Sequence, residues 1–282
     1  MTVYPLIFQI GPLTITGYGI MMMVGFITAG WVYGRDLSRR GLDTNIAWDT
    51  VVFAIVGGLL GSKGYYAISV GRFDALFTRG GLVWYGGFIG GTASVFAYMW
   101  WKRLPIRALL DAISPALAVG YLLGRVGCFL VNDDYGRPTS LPWGMVFPRG
   151  APPSTAGNLA EQFHVALPPG TPPDTLMAVH PTQLYEIAMM LLVFALLWRW
   201  RAHGRAPGWL FGVYLVLSSV ERIVVEVFRA KDDRIWGPVT VAQILSVALV
   251  LLGALLMRRY TAAEPAPAPA PAASAAPPGE NP

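Results

Sequence analysis

Seven long apolar segments constrain the fold of this chain more than any other feature of its sequence. A helix needs about 20 mostly apolar residues to cross a bilayer. Seven stretches meet that requirement, at about 12–34, 47–70, 82–101, 108–131, 181–199, 208–228 and 239–257. Charged residues make up only 13% of the chain, roughly half the share expected of a soluble domain. The sequence therefore predicts an all-α, polytopic integral membrane protein with about seven transmembrane helices.

The composition excludes several other classes of protein. The single cysteine, Cys128, excludes a disulfide framework and any multi-cysteine metal site. The three histidines, His164, His180 and His203, lie far apart along the chain, so we expect no metal centre, and no soluble cofactor is implied. The net charge of +5 reflects basic residues at the membrane surface and is no argument for nucleic acid as a partner.

The distribution of lysine and arginine predicts how the chain is oriented. Eleven of the 21 basic residues fall on one side of the apolar segments, seven fall on the other side, and three lie inside segments. Cytoplasmic loops carry the excess of basic residues. We therefore expect the N-terminus outside the membrane and the C-terminus in the cytoplasm.

Two regions stand apart from the apolar segments and define the expected domain organisation. The insert at 132–180 is rich in proline, which opposes long helices and favours a small, loop-built extracytoplasmic cap. Residues 261–282 alternate alanine and proline and are expected to form a disordered, solvated tail. The prediction is a membrane domain over 1–260 that includes the cap, followed by this tail.

Ionisable side chains inside apolar segments are costly in a bilayer, and each one indicates a possible functional site. They are Lys63, Asp111, Arg125, Glu186, Glu221, Arg222 and Glu226, with Asp133 just beyond the fourth segment. Helical spacing of four predicts one ion pair between Arg222 and Glu226 and another between Arg107 and Asp111. The alternative is that such pairs only hold helices together.

Arg125 lies in the most unusual local sequence, GRVGCFLVNDDYG (124–136). Its glycine neighbours leave the planar guanidinium free to meet a phosphate with two hydrogen bonds. Asp133 lies eight residues further on and would share its helix face if the helix continued. We expect a phospholipid headgroup site in the outer leaflet, and the alternative is an anion-conducting or transport pathway.

The same stretch resembles the signature of the prolipoprotein diacylglyceryl transferase family, in which Gly-Arg-x-Gly-Asn-Phe precedes Asn-x-Glu and a glycine. Six further stretches resemble segments of that family in the same order along the chain. They are IGPLTITGYGI (10–20), GSKGYYAI (61–68), WYGGFIGG (84–91), HPTQLYE (180–186), ERIVVEVFRAKDD (221–233) and TVAQILS (240–246). The family's seven spans and outward N-terminus agree with the apolar segments and the charge distribution.

This resemblance implies an enzyme at the outer face of the bacterial cytoplasmic (inner) membrane. It would transfer a diacylglyceryl group from phosphatidylglycerol to the lipobox cysteine thiol of prolipoproteins and release glycerol phosphate. The implied partners are phosphatidylglycerol, prolipoprotein signal peptides and the surrounding membrane lipids. Two alternatives stay open: a divergent paralogue that binds a phospholipid without this chemistry, and a passive anion or lipid transporter.

The resemblance also implies roles for individual residues. Arg125 and Arg222 would hold the phosphate, because fixed cations stabilise the charge that develops on a leaving phosphate. Glu226 and Asp133 would orient these arginines or bind glycerol hydroxyls. Tyr85 completes the implied catalytic set. The other implied substrate-binding residues are Tyr18, Lys63, Gly136, His180 and Gln183.

The chain departs from the family pattern at several positions. Tyr85 replaces a histidine, Cys128 and Val131 replace asparagines, Asp133 replaces a glutamate, and Lys63 replaces an arginine. The general base is therefore open: either the field of the arginines alone activates the thiol, or Tyr85 only donates a hydrogen bond. Cys128 is interpreted as a small apolar filler rather than a nucleophile.

His180 directly precedes Pro181 at the start of the fifth apolar segment. One interpretation is that its imidazole contacts the substrate. The other is that it caps the helix that begins there, as polar side chains at helix starts often do.

Overall fold

Helices make up most of the fold. The computed structural model describes residues 1–11, 13–77, 81, 83–230, 234–236 and 239–261. Its helices are α1 (Gly17–Arg39), α2 (Asn45–Val70), α3 (Trp84–Trp101), α4 (Ile106–Val131), α5 (Ala156–Glu161), α6 (Thr182–Trp200), α7 (Trp209–Glu226) and α8 (Val241–Thr261). The predicted all-α, polytopic membrane class is confirmed. The predicted tail lies outside the described residues, except for Thr261, which ends α8.

Two short antiparallel strand pairs accompany the helices, and the sequence did not predict them. They are β1 (Ile7–Ile10) with β2 (Leu13–Thr16), and β3 (Arg234–Trp236) with β4 (Val239–Thr240). The first pair explains why α1 begins at Gly17 rather than near residue 12. The Thr16 hydroxyl accepts a hydrogen bond from the Gly19 backbone N–H at 3.1 Å and caps the helix there.

Each of the seven predicted apolar segments overlaps one long helix, α1 to α4 or α6 to α8. Among the described residues, α2, α4, α6 and α8 are long and apolar enough to cross a membrane by length and composition. The helix α7 carries Glu221, Arg222 and Glu226 close to its end, which lowers its hydropathy. The count of seven spans stays a prediction.

The bundle is organised around α4, which packs against α1, α6 and α7, while α2 packs against α3 and α7 against α8. The α2–α3 contact is a seam of glycines. A Cβ atom built on Gly61 would lie 2.2 Å from the Gly86 carbonyl oxygen, and one on Gly90 would lie 2.4 Å from the Gly57 carbonyl oxygen. Only glycine permits this backbone approach, as expected where small residues drive helix association in lipid.

A buried carboxylate joins the first half of α4 to the start of α7. Asp111 is fully buried, accepts a hydrogen bond from the Phe211 backbone N–H at 2.9 Å, and lies 3.2 Å from His203 Nε2. The predicted pair between Asp111 and Arg107 is therefore wrong. The Arg107 guanidinium lies instead over the ring of Tyr260 in α8, 5.7 Å from its centroid.

Residues 132–180 form a loop-built unit whose one helix is α5. It has an apolar core of its own, in which the buried residues Tyr135, Phe147, Leu159 and Val179 pack together. Stacked rings of Tyr135 and Phe147, with centroids 5.4 Å apart, lie at its centre. The loop architecture agrees with the density of proline in this insert, while the outward position of this cap stays a prediction.

Candidate functional site

The end of α4 turns sharply and returns an acidic residue to Arg125. The helix stops at Val131, and Asn132 and Asp134 both adopt positive φ values, 60° and 56°. Asparagine and aspartate tolerate this left-handed conformation better than other side chains with a Cβ atom. The turn places the Asp134 carboxylate 2.9 Å from Arg125 Nη1.

Arg125 also contacts the first two turns of α6 and its own helix. Its Nε lies 3.2 Å from an oxygen of Glu186, and its guanidinium lies over the ring of Tyr121 at 5.1 Å. The Tyr121 hydroxyl donates to the other Glu186 oxygen at 3.0 Å. Glu186 is 1% exposed, and a carboxylate this deeply buried needs such cationic and hydroxyl partners.

The end of α7 contributes two more guanidinium groups. Arg222 Nη2 lies 2.8 Å from Glu226, which confirms the pair predicted from their spacing. Arg222 Nη1 lies 3.9 Å from Glu186 and has no hydrogen-bond partner among the described residues. Arg229 follows α7 and places Nη2 3.3 Å from Asp134 and Nε 3.9 Å from Glu226.

These side chains form one ionic network, which we call the arginine cluster. Its members come from three helices and two adjoining turns, and they are Arg125, Arg222, Arg229, Asp134, Glu186 and Glu226. The carboxylate of Asp134 joins the Arg125 and Arg229 guanidiniums and is 39% exposed, whereas the side chains of those arginines are 15% and 8% exposed. Two fixed guanidiniums directed at one anion provide the paired donors that phosphate oxygens accept.

Asp133 was expected on the same helix face as Arg125, but the recorded ion pair of Arg125 in this turn is with Asp134. The reason is that α4 ends before residue 133, so the helical spacing no longer applies. The Asp133 carbonyl oxygen accepts a hydrogen bond from Gln183, and its buried Oδ1 has no hydrogen-bond partner among the described residues. Burial, with a smaller contribution from the Asp134 charge, raises the pKa of Asp133 to about 6.

Gly136 and Gln183 lie where the turn after α4 meets the start of α6. The Gly136 backbone N–H donates to the His180 carbonyl oxygen at 2.8 Å. A Cβ atom on Gly136 would lie 2.4 Å from the Phe228 carbonyl oxygen. Gln183 is fully buried, and its neighbour Thr182 donates from its hydroxyl to the Asp134 carbonyl oxygen at 2.7 Å. These contacts hold the turn that carries Asp134.

His180 belongs to a hydrogen-bonded chain at the junction of cap and bundle. Its Nδ1 lies 3.1 Å from the Tyr185 hydroxyl, which accepts a hydrogen bond from Trp143 Nε1 at 2.8 Å. The tautomer of the imidazole decides whether His180 or Tyr185 donates in their contact. Burial lowers the pKa of His180. Among the described residues, the imidazole makes no hydrogen bond to a backbone N–H of α6, so the structure gives no support to a capping role.

The remaining predicted residues lie on α1, α2 and α3. Tyr18 packs beside Gly127 of α4, where a Cβ atom on the glycine would lie 3.2 Å from the tyrosine ring. Lys63 is partly buried in α2. Tyr85 is the second residue of α3, is half exposed and packs edge-on against Trp84. Among the described residues, no hydrogen bond joins Tyr85 to the arginine cluster.

Four residues of the site were not predicted as site residues. Glu186 carried a signal, since it is an ionisable residue inside an apolar segment, but its two arginine partners lie on other helices. Arg229 lies just outside the sixth apolar segment and so gave no signal of burial, and Asp134 directly follows Asp133, the acidic residue that the sequence predicts at the site. Tyr121 precedes Arg125 by four residues, and only the structure pairs its hydroxyl with Glu186.

The possible metal ligands at the site lie next to a fixed cation. Ligand atoms of Cys128, Asp133 and Asp134 lie within 4.8 Å of one another. Arg125 Nη1, however, lies 2.9 Å from Asp134 and 3.8 Å from the Cys128 sulfur. A metal cation in this position would be repelled by the guanidinium. The geometry therefore fits an anion better than a metal ion.

Comparison with known proteins places these features in a family. The sequence model of the family described as prolipoprotein diacylglyceryl transferase matches residues 5–259. Relatives named phosphatidylglycerol–prolipoprotein diacylglyceryl transferase include one from Clostridium tetani, which is 30% identical over 88% of this chain and 94% of its own length. The relative from Vibrio cholerae serotype O1 is 30% identical over 90% of this chain and 90% of its own length. The relative from Wolbachia pipientis is 32% identical over 91% of this chain and 94% of its own length. The chain therefore belongs to the prolipoprotein diacylglyceryl transferase family.

Proposed function

We propose that this chain transfers a diacylglyceryl group from phosphatidylglycerol to the lipobox cysteine thiol of a prolipoprotein and releases glycerol phosphate. The observation that carries the proposal is the Asp134 carboxylate held between the Arg125 and Arg229 guanidiniums, in one cluster with Arg222, whose Nη1 has no hydrogen-bond partner among the described residues. This arrangement suits an anion with several oxygens. The printed names of the relatives supply the substrates.

The proposed chemistry is a displacement at carbon. The thiol sulfur attacks the glycerol carbon that bears the phosphate, a C–S bond forms, and the C–O bond to phosphate breaks. The electron pair of that bond leaves with the glycerol phosphate, which gains negative charge in the transition state. Arg125 and Arg222 would stabilise this charge, and Glu226 would keep Arg222 oriented through their 2.8 Å contact.

The thiol must lose its proton before or during the attack, because its ordinary pKa is about 8.5. We propose that the field of the arginine cluster favours the thiolate when the peptide is bound. Tyr85 is proposed as the group that contacts the thiol, as base or hydrogen-bond donor, and its half-exposed position leaves it accessible to an incoming peptide.

The other predicted site residues are proposed to bind the lipid. Tyr18 lies beside α4 at Gly127 and Asp133 borders the turn after α4, so both are near enough to meet the headgroup glycerol. His180 and Gln183 hold the neighbouring turn together with Gly136. Lys63 would add a point charge from α2, without the two-pronged geometry of arginine.

An apolar cavity supports the assignment of a lipid substrate. It has a volume of about 230 Å³ and lies between α1, α2 and α4, with Tyr121 among its lining residues. Met22, Phe26, Ile113 and Leu117 also line it. An acyl chain attached to a headgroup at the arginine cluster could enter this space. A transport pathway for anions would need polar groups here instead.

We further propose that the protein lies in the bacterial cytoplasmic membrane with seven spans and an outward N-terminus. The arginine cluster and the cap would then face outward, and the C-terminal end of α8 would face the cytoplasm. The excess of lysine and arginine at the opposite end of the bundle supports this orientation.

The test is a transfer assay with purified protein in liposomes. Phosphatidylglycerol labelled in its headgroup glycerol is mixed with a lipobox peptide, and both glycerol phosphate release and peptide mass are followed. We expect release that depends on the peptide, with a gain of one diacylglyceryl group in peptide mass. Lipid binding without release, beside an active relative, would instead identify a lipid-binding paralogue. Movement of the labelled lipid across the membrane without release would identify a transporter.

A further inference from the structure

A second cavity lies at the end of the bundle opposite the arginine cluster. It has a volume of about 700 Å³ and is formed by the end of α6, the start of α7, the loop between them and the last turns of α8. The helix α6 places Glu186 in its first two turns and Arg199 in its last turn, so about 20 Å of helix separates the two sites. The cavity is therefore distinct from the proposed active site.

The mouth of this cavity is basic. Arg199 and Arg205 line it and are exposed, and His203 lines it next to them. Among the described residues, Arg199 makes no ion pair. The carboxylate oxygens of Asp111 are already occupied by the Phe211 backbone N–H and by His203. Arg205 Nη1 donates to the Thr261 hydroxyl at 3.2 Å. Since neither arginine makes an ion pair among the described residues, both keep donors for an anion.

The inner walls of the cavity are apolar. They are formed by Val213, Val216 and Leu217 of α7 and Met257 of α8. A pocket with cations at its mouth and aliphatic walls matches a molecule with a charged head and a hydrocarbon tail. Basic pockets between helices at the membrane surface bind anionic lipid headgroups in this way.

A buried donor without a partner gives independent support. Trp209 lines the cavity and is 8% exposed, and its indole Nε1–H has no acceptor among the described residues. A buried donor of this kind costs free energy unless it is satisfied by a ligand or water. The Arg205 guanidinium lies over the same indole ring at 4.3 Å. One phosphate could therefore accept from both residues.

We propose that this cavity binds an anionic phospholipid from the leaflet opposite the arginine cluster. The phosphate would be held by Arg199, Arg205 and the Trp209 indole N–H, and the acyl chains would run along α7 and α8. By the orientation proposed above, this is the cytoplasmic leaflet. The proposal stands whether or not the transferase activity is found, because it uses none of the residues of the arginine cluster.

The test uses phosphatidylserine as the anionic probe, so that the proposed substrate is not consumed. The delipidated full-length protein in detergent is titrated with phosphatidylserine, and bound lipid is counted by native mass spectrometry, with phosphatidylcholine as the neutral comparison. We expect Arg199→Gln/Arg205→Gln to bind phosphatidylserine about tenfold more weakly, because each charge-assisted hydrogen bond contributes more than a neutral one. Trp209→Phe should weaken binding about threefold, because it removes one neutral donor.

Two control variants locate the site. Arg258→Gln/Arg259→Gln removes the same charge from the end of α8 without touching the lining residues, and it should bind within about twofold of wild type. Arg125→Ala should also keep this binding. If Arg199→Gln/Arg205→Gln binds within twofold of wild type, or no worse than Arg258→Gln/Arg259→Gln, the proposal is wrong. It is also wrong if the binding is lost with Arg125→Ala.

Two further outcomes are decisive. If inorganic phosphate displaces the lipid completely, the cavity recognises free phosphate and the lipid assignment is wrong.

If the double variant shows a lower unfolding temperature in phosphatidylcholine, Arg199→Gln alone replaces it, because Arg199 makes no ion pair among the described residues. A loss of about threefold in that variant supports the proposal, and unchanged binding overturns it.

Discussion

The carboxylate of Asp134 occupies the position that a phosphate would need between two arginines. Arg125 and Arg229 each contact one of its oxygens, at 2.9 and 3.3 Å. Glu186 and Glu226 pair with guanidiniums deeper in the bundle. Buried cations without partners are strongly destabilising, and these contacts leave each arginine of the cluster paired before a lipid arrives. An incoming phosphate would take over the contacts of the exposed carboxylate rather than those of the buried ones.

The first prediction at the residue scale concerns the lone cysteine. Cys128 is 9% exposed, and its sulfur lies 3.8 Å from Arg125 Nη1. A serine of similar size can keep that contact, so Cys128→Ser should retain transfer activity within about threefold of wild type. The rate is measured by the gain in peptide mass. A variant that folds and binds lipid but transfers nothing would make Cys128 a participant in the chemistry.

The second prediction follows from the raised pKa of Asp133. Its value of about 6 lies above the ordinary 3.8, so between these values the folded protein holds a proton that the unfolded chain releases. The contribution of Asp133 to stability therefore falls as the pH rises from about 4 to about 6. Asp133→Asn has no carboxyl group to titrate here. The unfolding temperature of the variant minus that of wild type should therefore increase as the pH rises over this range. A constant difference between pH 4 and pH 7 would contradict the account.

Residue patterns predicted the parts of the site that depend on one helix. The spacing of four located the Arg222–Glu226 pair, and the glycine-flanked sequence located Arg125. Contacts between helices were not predictable in this way, because Glu186 meets Arg125 and Arg222 only after α4, α6 and α7 have packed together. The ion pair of Arg125 with Asp134 was not predictable either, since the left-handed Asn132 ends the helical spacing that related Arg125 to Asp133.

At the scale of elements, the α2–α3 seam depends on the absence of side chains. Gly61 and Gly86 face each other so closely that a Cβ atom on either would lie within 2.4 Å of the other's carbonyl oxygen. Backbone atoms cannot rotate away as a side chain can. This seam fixes where α2 and α3 lie, and with them Lys63 and Tyr85.

Gly61→Ala should therefore destabilise the protein by about 1–3 kcal/mol, because the two helices must separate to admit the methyl group. Gly64→Ala is the matched control on the same helix, since a Cβ atom there meets nothing within 4 Å. The control should leave stability unchanged or raise it by up to about 1 kcal/mol. Unfolding in detergent micelles provides the measurement. Equal stability of the two variants would show that the seam is not as tight as described.

The long helices were predictable because each is a long apolar run, and their bounds moved by only a few residues. The β1–β2 pair was missed because the apolar residues at 7–16 continue into α1 without a change in hydropathy. The structure also joined His203, in the loop between α6 and α7, to Asp111 of α4, a contact between distant parts of the chain that the spacing rule could not predict.

At the scale of the whole molecule, the two ends of the bundle carry different chemistry. One end has the arginine cluster and the cap, and the other has the basic cavity between α6, α7 and α8. In the orientation that we propose from the charge distribution, the second end faces the cytoplasm. Accessibility of introduced cysteines tests this orientation.

Asp174 lies at an exposed position in the cap, and Gly204 lies in the exposed loop between α6 and α7. The variants Asp174→Cys and Gly204→Cys are each made in the Cys128→Ser chain, so that only one thiol is present. A membrane-impermeant thiol reagent applied to intact spheroplasts should label the cap position at once. It should label the position at 204 only after permeabilisation. The reverse pattern would invert the proposed topology.

The proposed chemistry depends most on Arg125 as the residue that holds the phosphate. The most direct measurement compares peptide lipidation by wild type, Arg125→Ala and Arg107→Ala in phosphatidylglycerol liposomes, with insertion checked for each. Arg107 lies about 27 Å from Arg125 along α4. Arg107→Ala is therefore the matched control, because it removes the same charge far from the arginine cluster. We expect Arg125→Ala to lose about 10²–10³-fold in transfer rate, while Arg107→Ala stays within about twofold of wild type. Full activity in an inserted Arg125→Ala protein would remove Arg125 from the site and contradict the proposed chemistry.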